Sequence, residues 1–205
     1  MPPSGTTSRR RLICLIGFMG CGKTTVGRRL ASQLAWRFVD LDTRIEEHAS
    51  LRIAEIFDRL GEPAFRQIEH EQLVQALGEA AAQDTPTVLA LGGGTFAQPQ
   101  NVELLRRFGG PEGSEGRSGG TVVIWLDCPI EELLARCLTM ANRPLFRDEA
   151  SFRQLYAQRR PFYEQADYRV ASNADPARVV ESILALGIVG GALGVADASA
   201  GRVIA

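Results

Sequence analysis

Lysine is almost missing from this chain. Of 23 basic residues in 205, Lys23 is the only lysine and every other is arginine. A guanine-nucleotide switch reading its base through N-K-x-D is thereby excluded, because Lys23 is followed by Thr24 and Thr25. Cysteine is sparse and unpatterned: Cys14, Cys21, Cys128 and Cys137 form no C-x-x-C pair and no metal-like grouping with the two histidines. In a chain of this size that argues against a disulfide framework and for reduced thiols in a cytoplasmic protein. Net charge is nearly absent, at −1, so neither nucleic acid nor an anionic membrane surface has an electrostatic case as partner. No apolar run reaches the roughly 20 residues of a spanning helix; the stretch from Ile183 to Ala196 comes nearest and is rich in glycine. Arg9, Arg10 and Arg11 precede the apolar run Leu12 to Met19 in a way that looks like a secretory leader, but Gly17 interrupts that run. A buried strand explains it better, and no membrane segment is expected.

What is present is ordinary for a globular protein, with 45% apolar and 23% charged residues, and enough chain for one domain with a real core. Apolar runs and helical periodicity alternate. Strands are expected at Leu12 to Ile16, Arg37 to Asp40, Thr87 to Leu91, Val122 to Leu126 and Tyr168 to Ala171. Helices are expected at Lys23 to Leu34, Thr43 to His48, Ile53 to Leu60, Glu62 to Ala81, Gln100 to Phe108, Ile130 to Leu138, Ser151 to Arg160 (ending at Pro161), and Pro176 to Leu186. Strands separated by helices of this length predict an α/β fold, a parallel sheet of about five strands with helices on both faces. Sites in such folds collect at the carboxyl ends of the strands. Residues 11–187 are read as one domain, 1–10 and 188–205 as tails, and the glycine-rich stretch 109–120 as a flexible surface loop.

Gly17-Phe18-Met19-Gly20-Cys21-Gly22-Lys23-Thr24 fits G-x-x-x-x-G-K-S/T, and it follows an apolar strand and opens a helix, the context that gives the pattern its meaning. Glycines let successive backbone N–H groups face phosphates, and the helix amino terminus adds partial positive charge. Gly20, Cys21, Gly22, Lys23, Thr24 and Thr25 are the candidate ATP contacts, with Lys23 on the β- and γ-phosphates and the Thr24 hydroxyl on Mg2+. Cys21 has two readings: a thiol activated by backbone amides, or a small side chain filling the loop.

Asp40 and Asp42 stand two apart at the end of the second strand. If extended geometry persists they point to one side, Asp40 toward Mg2+ and Asp42 toward an acceptor hydroxyl as base or orienting group. The alternative is a helix N-cap pair. Arginines are placed to grip an anion: Arg66 near a helix start with Glu69 three residues on, Arg143 beside Pro144 in an irregular segment suited to a lid (about residues 138–150), and Arg159 just before Pro161. Gly92, Gly93 and Gly94 end the third strand, where backbone can approach a ligand closely. Each arginine alone reads first as a solvated surface group; together they suit a carboxylate and a transferring phosphoryl group.

From Leu12 to Leu186 the chain resembles shikimate kinase. GFMGCGKTTVGRRLA is similar to that family's Walker A segment, FVDLD to its D-x-D, AFRQIE to its arginine helix, LALGGGT to its glycine triplet, NRPLF to its lid arginine and RRPFY to its R-x-P-x-Y. The resemblance implies a nucleoside-monophosphate-kinase-like P-loop fold with a lid, and ATP-dependent phosphorylation of shikimate by a monomer. It further implies that Arg66 and Arg159 take the carboxylate, that Asp42 meets the ring hydroxyls, and that Gly92, Gly93 and Gly94 line the pocket. Arg143 would close over ATP, Arg136 would stack on adenine with the loop near Pro176 on the other face, Glu69 would orient Arg66, and Thr24 and Asp40 would serve Mg2+; Lys23, Asp42 and Arg143 would be the catalytic set. Ala64 and Ala174 depart from the family's pattern and receive no role. The competing expectations are a gluconate-type small-molecule kinase, which needs no pair of arginines on a cyclic acid, and a nucleotide-binding regulatory module.

Overall fold

The computed structural model describes residues 12–83, 85–108, 120–138 and 148–189. Strand β1 (Leu12–Ile16) is buried at every position. Since successive side chains of a strand point to opposite faces, a strand with no exposed residue must be covered on both. It lies in the middle of a five-stranded sheet ordered β2-β3-β1-β4-β5, the others being β2 (Arg37–Asp40), β3 (Thr87–Ala90), β4 (Thr121–Asp127) and β5 (Tyr168–Ala171). All four pairings are parallel. The chain runs out to β2, returns to β3 beside β1, then crosses to β4 and β5 on the far side. The carboxyl ends of β1 and β3 therefore flank the point where the winding reverses, which is where such sheets hold their ligands.

The helices are α1 (Lys23–Leu34), α2 (Leu41–Ala49), α3 (Ile53–Gln83), α4 (Pro99–Arg107), α5 (Ile130–Leu138), α6 (Glu149–Tyr163) and α7 (Pro176–Leu184), with a 3-10 turn at Thr95–Ala97. Helix α1 buries Val26, Gly27, Leu30 and Ala31 and packs against α7 and the strands β1, β2 and β3. Gly27 permits that close seat: a Cβ there would come 2.6 Å from the Phe38 ring and 3.1 Å from Leu15. The two helices expected on either side of Gly61 form one segment broken at that residue, whose φ of 80° and ψ of 168° are not helical. Pro63 follows at the start of the second half, where a missing N–H costs least.

Two expectations are corrected. Helix α6 does not stop at Pro161 but runs on to Tyr163. Proline in a last turn forfeits a single backbone bond, and the end is secured by Glu164 N donating to the Arg160 carbonyl and by the 1% exposure of Tyr163. Ile188, read as tail, packs against the core. The loop at 109–119, most of the lid at 139–147, and residues 1–11 and 190–205 lie outside the described residues; residues 149 and 150 open α6, capped by Asp148. Cys14, Cys21, Cys128 and Cys137 are all buried and none is bridged to another. No helix among the described residues is long and apolar enough to cross a membrane.

Away from the sheet's carboxyl edge, Glu79 of α3 holds Arg37 at 2.6 Å and both Nη atoms of Arg44 at 2.8 and 3.0 Å, tying β2 and α2 to α3. These hydrogen bonds, from Arg44 first and then Arg37, lower its pKa to about 2. A depressed carboxylate pKa contributes stability that is complete above the unfolded value and is lost as pH falls through the folded one. The Glu79 side chain is 37% exposed, so screening limits the effect to about 1 kcal/mol. Glu79→Gln is expected to lower Tm by about 2–4 °C at pH 7, with the gap closing between about pH 4.5 and pH 2. Thermal unfolding across that range checks it; an equal gap at pH 7 and pH 2 contradicts it.

Candidate active site

The loop after β1 needs backbone conformations that only glycine takes easily. Gly17, Gly20 and Gly22 have φ of 142°, 82° and 92°, and a Cβ at Gly17 would stand 2.7 Å from the Leu126 carbonyl. Gly22 caps α1 in the left-handed region, so the first amides of α1 face the loop and make an anion site. Lys23 Nζ donates to the carbonyls of Gly17 and Phe18 at 3.0 and 3.1 Å, which holds the ammonium over the loop. The Thr24 hydroxyl donates to Asp40 Oδ2 at 2.6 Å. Thr25, next on α1, is exposed. Cys21 is 1% exposed and its carbonyl accepts from the Ser172 hydroxyl, which fits the loop-filling reading. Arg136 of α5 lies along the same loop, donating to the carbonyls of Gly20 at 3.3 Å and Ser172 at 3.4 Å. Pro176 stands four residues beyond Ser172, as the first residue of α7.

Beside the P-loop, a cavity of about 1020 Å³ is lined by both aspartates, both arginines and the glycine triplet. Asp40 ends β2 and caps α2, its Oδ1 accepting from Thr43 N at 3.3 Å. The two readings of Asp40 thus hold at once, one oxygen for the helix and the other for Thr24. Asp42, by contrast, does not continue a strand. The cap turns the chain into α2 at Leu41, and Asp42 sits in the first helical turn, from which its Oδ1 reaches within 2.8 Å of the Cβ position of Gly92. The two carboxylates reach one cavity by a turn of helix, not by strand alternation.

Arg66 stands on the second half of α3, where positions three and four apart are neighbours. It donates to Glu69 Oε2 at 2.9 Å and to Glu62 Oε1 at 2.9 and 3.2 Å. Burial pulls the Arg66 pKa down, and Glu69 and Glu62 more than reverse it, so the group ends above its usual value. Arg159, 8% exposed, is different: burial lowers its pKa, the Arg66 charge lowers it further, and Tyr163 only partly compensates. Tyr163 donates its hydroxyl to the Gly93 carbonyl. Both guanidinium groups close on Gly94. A Cβ there would lie 2.8 and 2.9 Å from Arg66 Nη2 and Nη1 and 3.2 Å from Arg159 Nη2. Glu69 is 1% exposed, whereas the Glu62 side chain is 60% exposed and screened by water, so beside Gly94 two guanidinium groups face a single buried carboxylate and keep donors for an anion, while Asp40, Asp42, Glu46, Glu55 and Asp58 line the wider cavity.

The structure therefore brings Thr24, Asp40, Asp42, Arg66, Arg159 and the glycine triplet around one opening, with Lys23 held on the adjoining P-loop and Arg136 bonded to the same loop. Arg143 lies outside the described residues. Sequence reasoning passed over Glu62, which its spacing of four from Arg66 could have shown, and Tyr163, four residues after Arg159. It also gave no role to Thr95, the last residue of LALGGGT, whose hydroxyl donates to Glu69 Oε1 at 2.6 Å.

The comparisons with known proteins agree with this geometry. The family described as shikimate kinase matches residues 19–186. The shikimate kinase of Persephonella marina is 35% identical over 176 residues, covering 85% of this chain and 97% of that protein. That of Synechococcus elongatus is 41% identical over 175 residues, covering 83% of each. Among solved structures, shikimate kinase from Acinetobacter baumannii in complex with shikimate superposes with a TM-score of 0.73 at 35% identity, over 86% of this chain and 92% of that one. With a P-loop, a paired-arginine pocket, a family match over residues 19–186 and relatives 35% and 41% identical over most of the chain, this chain belongs to the shikimate kinase family.

Proposed function

We propose that this protein transfers the γ-phosphoryl group of ATP to the 3-hydroxyl of shikimate, a step toward the aromatic amino acids. The observation that carries the reading is the convergence of Arg66 and Arg159 on Gly94, across the cavity from Asp42 and next to the P-loop. Two guanidinium forks offer a carboxylate more donors than it can use, and fix its plane as well as its place. A cyclic acid anchored there turns its hydroxyls toward Asp42, whose carboxylate accepts a hydrogen bond from the attacking hydroxyl. Loop amides and Lys23 hold the phosphates, and the acceleration comes from alignment and from charge placed where the transferring phosphoryl group develops it.

Thr24 and Asp40 suit Mg2+. Their oxygens are hard donors already 2.6 Å apart, and no cluster of three or more histidine, cysteine or carboxylate ligands exists among the described residues, as befits an ion that keeps waters and phosphate oxygens in its shell. Mg2+ held there would neutralise phosphate charge. Arg136 and Pro176 are assigned to the adenine. Four buried, unbridged cysteines suit a reducing compartment, and the cytoplasm is the proposed location.

ADP release with ATP and Mg2+ is expected to rise strongly with shikimate and to stay at background with gluconate or no acceptor; equal rates in all three would reject the assignment. Arg66→Ala is expected to weaken shikimate binding about 10- to 100-fold, the size of a lost hydrogen bond to a charged group, while ATP binding stays within about twofold. Titration of each ligand separately reads this, and a parallel collapse of ATP affinity would remove Arg66 from the acceptor site.

A further inference from the structure

We propose that Thr95 is a positioning residue for the acceptor: its hydroxyl fixes the buried Glu69 carboxylate, and through it the Arg66 guanidinium. The inference rests on the shikimate reading above and goes beyond it to a residue that touches neither substrate.

Thr95 opens the 3-10 turn after the glycine triplet and is 0% exposed. A fully buried hydroxyl has to find its partner within the protein, and this one donates to Glu69 Oε1 at 2.6 Å. The other oxygen of Glu69 accepts from Arg66 Nη1 at 2.9 Å. A carboxylate gripped at both oxygens cannot turn about its terminal torsion, whereas one gripped at a single oxygen can. The direction of that turn matters. A point at the Cβ position of Gly92 lies 2.9 Å from Thr95 Oγ1, 3.1 Å from Glu69 Oε1 and 2.8 Å from Asp42 Oδ1. Two carboxylates thus approach each other over Gly92 with the threonine proton committed to Glu69. Without that proton, Glu69 Oε1 carries buried charge facing Asp42. The carboxylate relieves this by rotating toward the Arg66 donors, which draws the guanidinium off Gly94.

Thr95 is itself held. Its N–H donates to the Gly92 carbonyl at 3.1 Å, and its carbonyl accepts from Asn101 Nδ2 at 3.2 Å. Asn101 is 0% exposed and its Oδ1 meets His70 Nδ1 at 2.7 Å. Helices α3 and α4 therefore clamp the turn from two sides, and the hydroxyl direction is set before any ligand arrives. Packing alone would be served as well by valine, which has nearly the same shape. The hydroxyl is what the geometry uses.

Steady-state kinetics with both substrates varied, on Thr95→Val and Thr95→Ser with Tm measured in parallel, separates these roles. Thr95→Val is expected to raise the shikimate KM about tenfold, as for a lost hydrogen bond to a charged group, with kcat and the ATP KM within about twofold. Thr95→Ser, which keeps the hydroxyl, is expected to stay within about threefold of wild type in all three. An unchanged shikimate KM in the valine variant overturns the proposal, as does a serine variant impaired as much as the valine one, or an equal rise in the ATP KM. If the valine variant does not fold, Thr95→Ala replaces it with the same split expected and the same outcomes decisive. Wild-type turnover of shikimate with no change in Thr95→Val overturns this proposal alone; absence of wild-type turnover overturns the substrate reading and this proposal with it.

Discussion

Two like charges are held side by side over a single glycine, and much of the chain is arranged to keep them there. Arg66 and Arg159 stand 93 residues apart in sequence, on different helices, yet their Nη atoms approach one point, the Cβ position of Gly94. Left in water, two guanidinium groups would separate. Here Arg66 is tied down by Glu62 and Glu69, and Arg159 by Tyr163 and by the Phe18 ring, 5.7 Å from its charge centre. The compensation at Gly94 is incomplete, since Glu62 is largely exposed and screened and only Glu69 is buried against the two cations. Breaking a buried pair costs far more than a surface one, so Glu69 is a structural requirement of the site as much as a functional one. The remaining positive charge is satisfied by whatever anion enters.

The same arrangement links the acceptor pocket to the phosphate loop. One face of α6 carries Phe152, Tyr156, Arg159 and Tyr163, spaced so that they share a side of the helix. Phe18, in the P-loop itself, packs edge-on against Phe152 and Tyr156 with ring centroids 5.0 and 5.3 Å away. Arg159 lies over that ring, and Tyr163 reaches on to the Gly93 carbonyl. A single helix thus sets both the P-loop and the arginine proposed to grip the acid. On the opposite wall, Asp40 performs a comparable double duty, capping α2 while accepting from Thr24. Positioning of this kind is the main source of acceleration in phosphoryl transfer.

How much of this the sequence disclosed follows the range of each interaction. The P-loop was legible because glycines, lysine and threonine at fixed spacing behind an apolar strand are a local signal. The strands β1, β2 and β5 emerge with the bounds that apolar runs suggest, β3 is a residue shorter at its end and β4 a residue longer at each end. The order β2-β3-β1-β4-β5 was not legible, since alternation implies parallel pairing but not which strands pair. Pro161 was over-read: the rule that proline ends helices yields when only one backbone bond is at stake and a buried tyrosine anchors the last turn. Of the two readings left open for the aspartates, the cap holds for Asp40 and strand geometry does not persist to Asp42, which lies in the first helical turn. Thr95 closes the LALGGGT segment, but its role was not legible there, because it lies in a contact with Glu69, 26 residues away.

The central claim is that excess positive charge at Gly94 recognises a carboxylate. Calorimetric titration of the wild-type protein with shikimate and with its uncharged methyl ester tests it most directly. The account predicts an ester about 100-fold weaker or worse, two lost charge-assisted contacts at about tenfold each; equal affinity for acid and ester would contradict it.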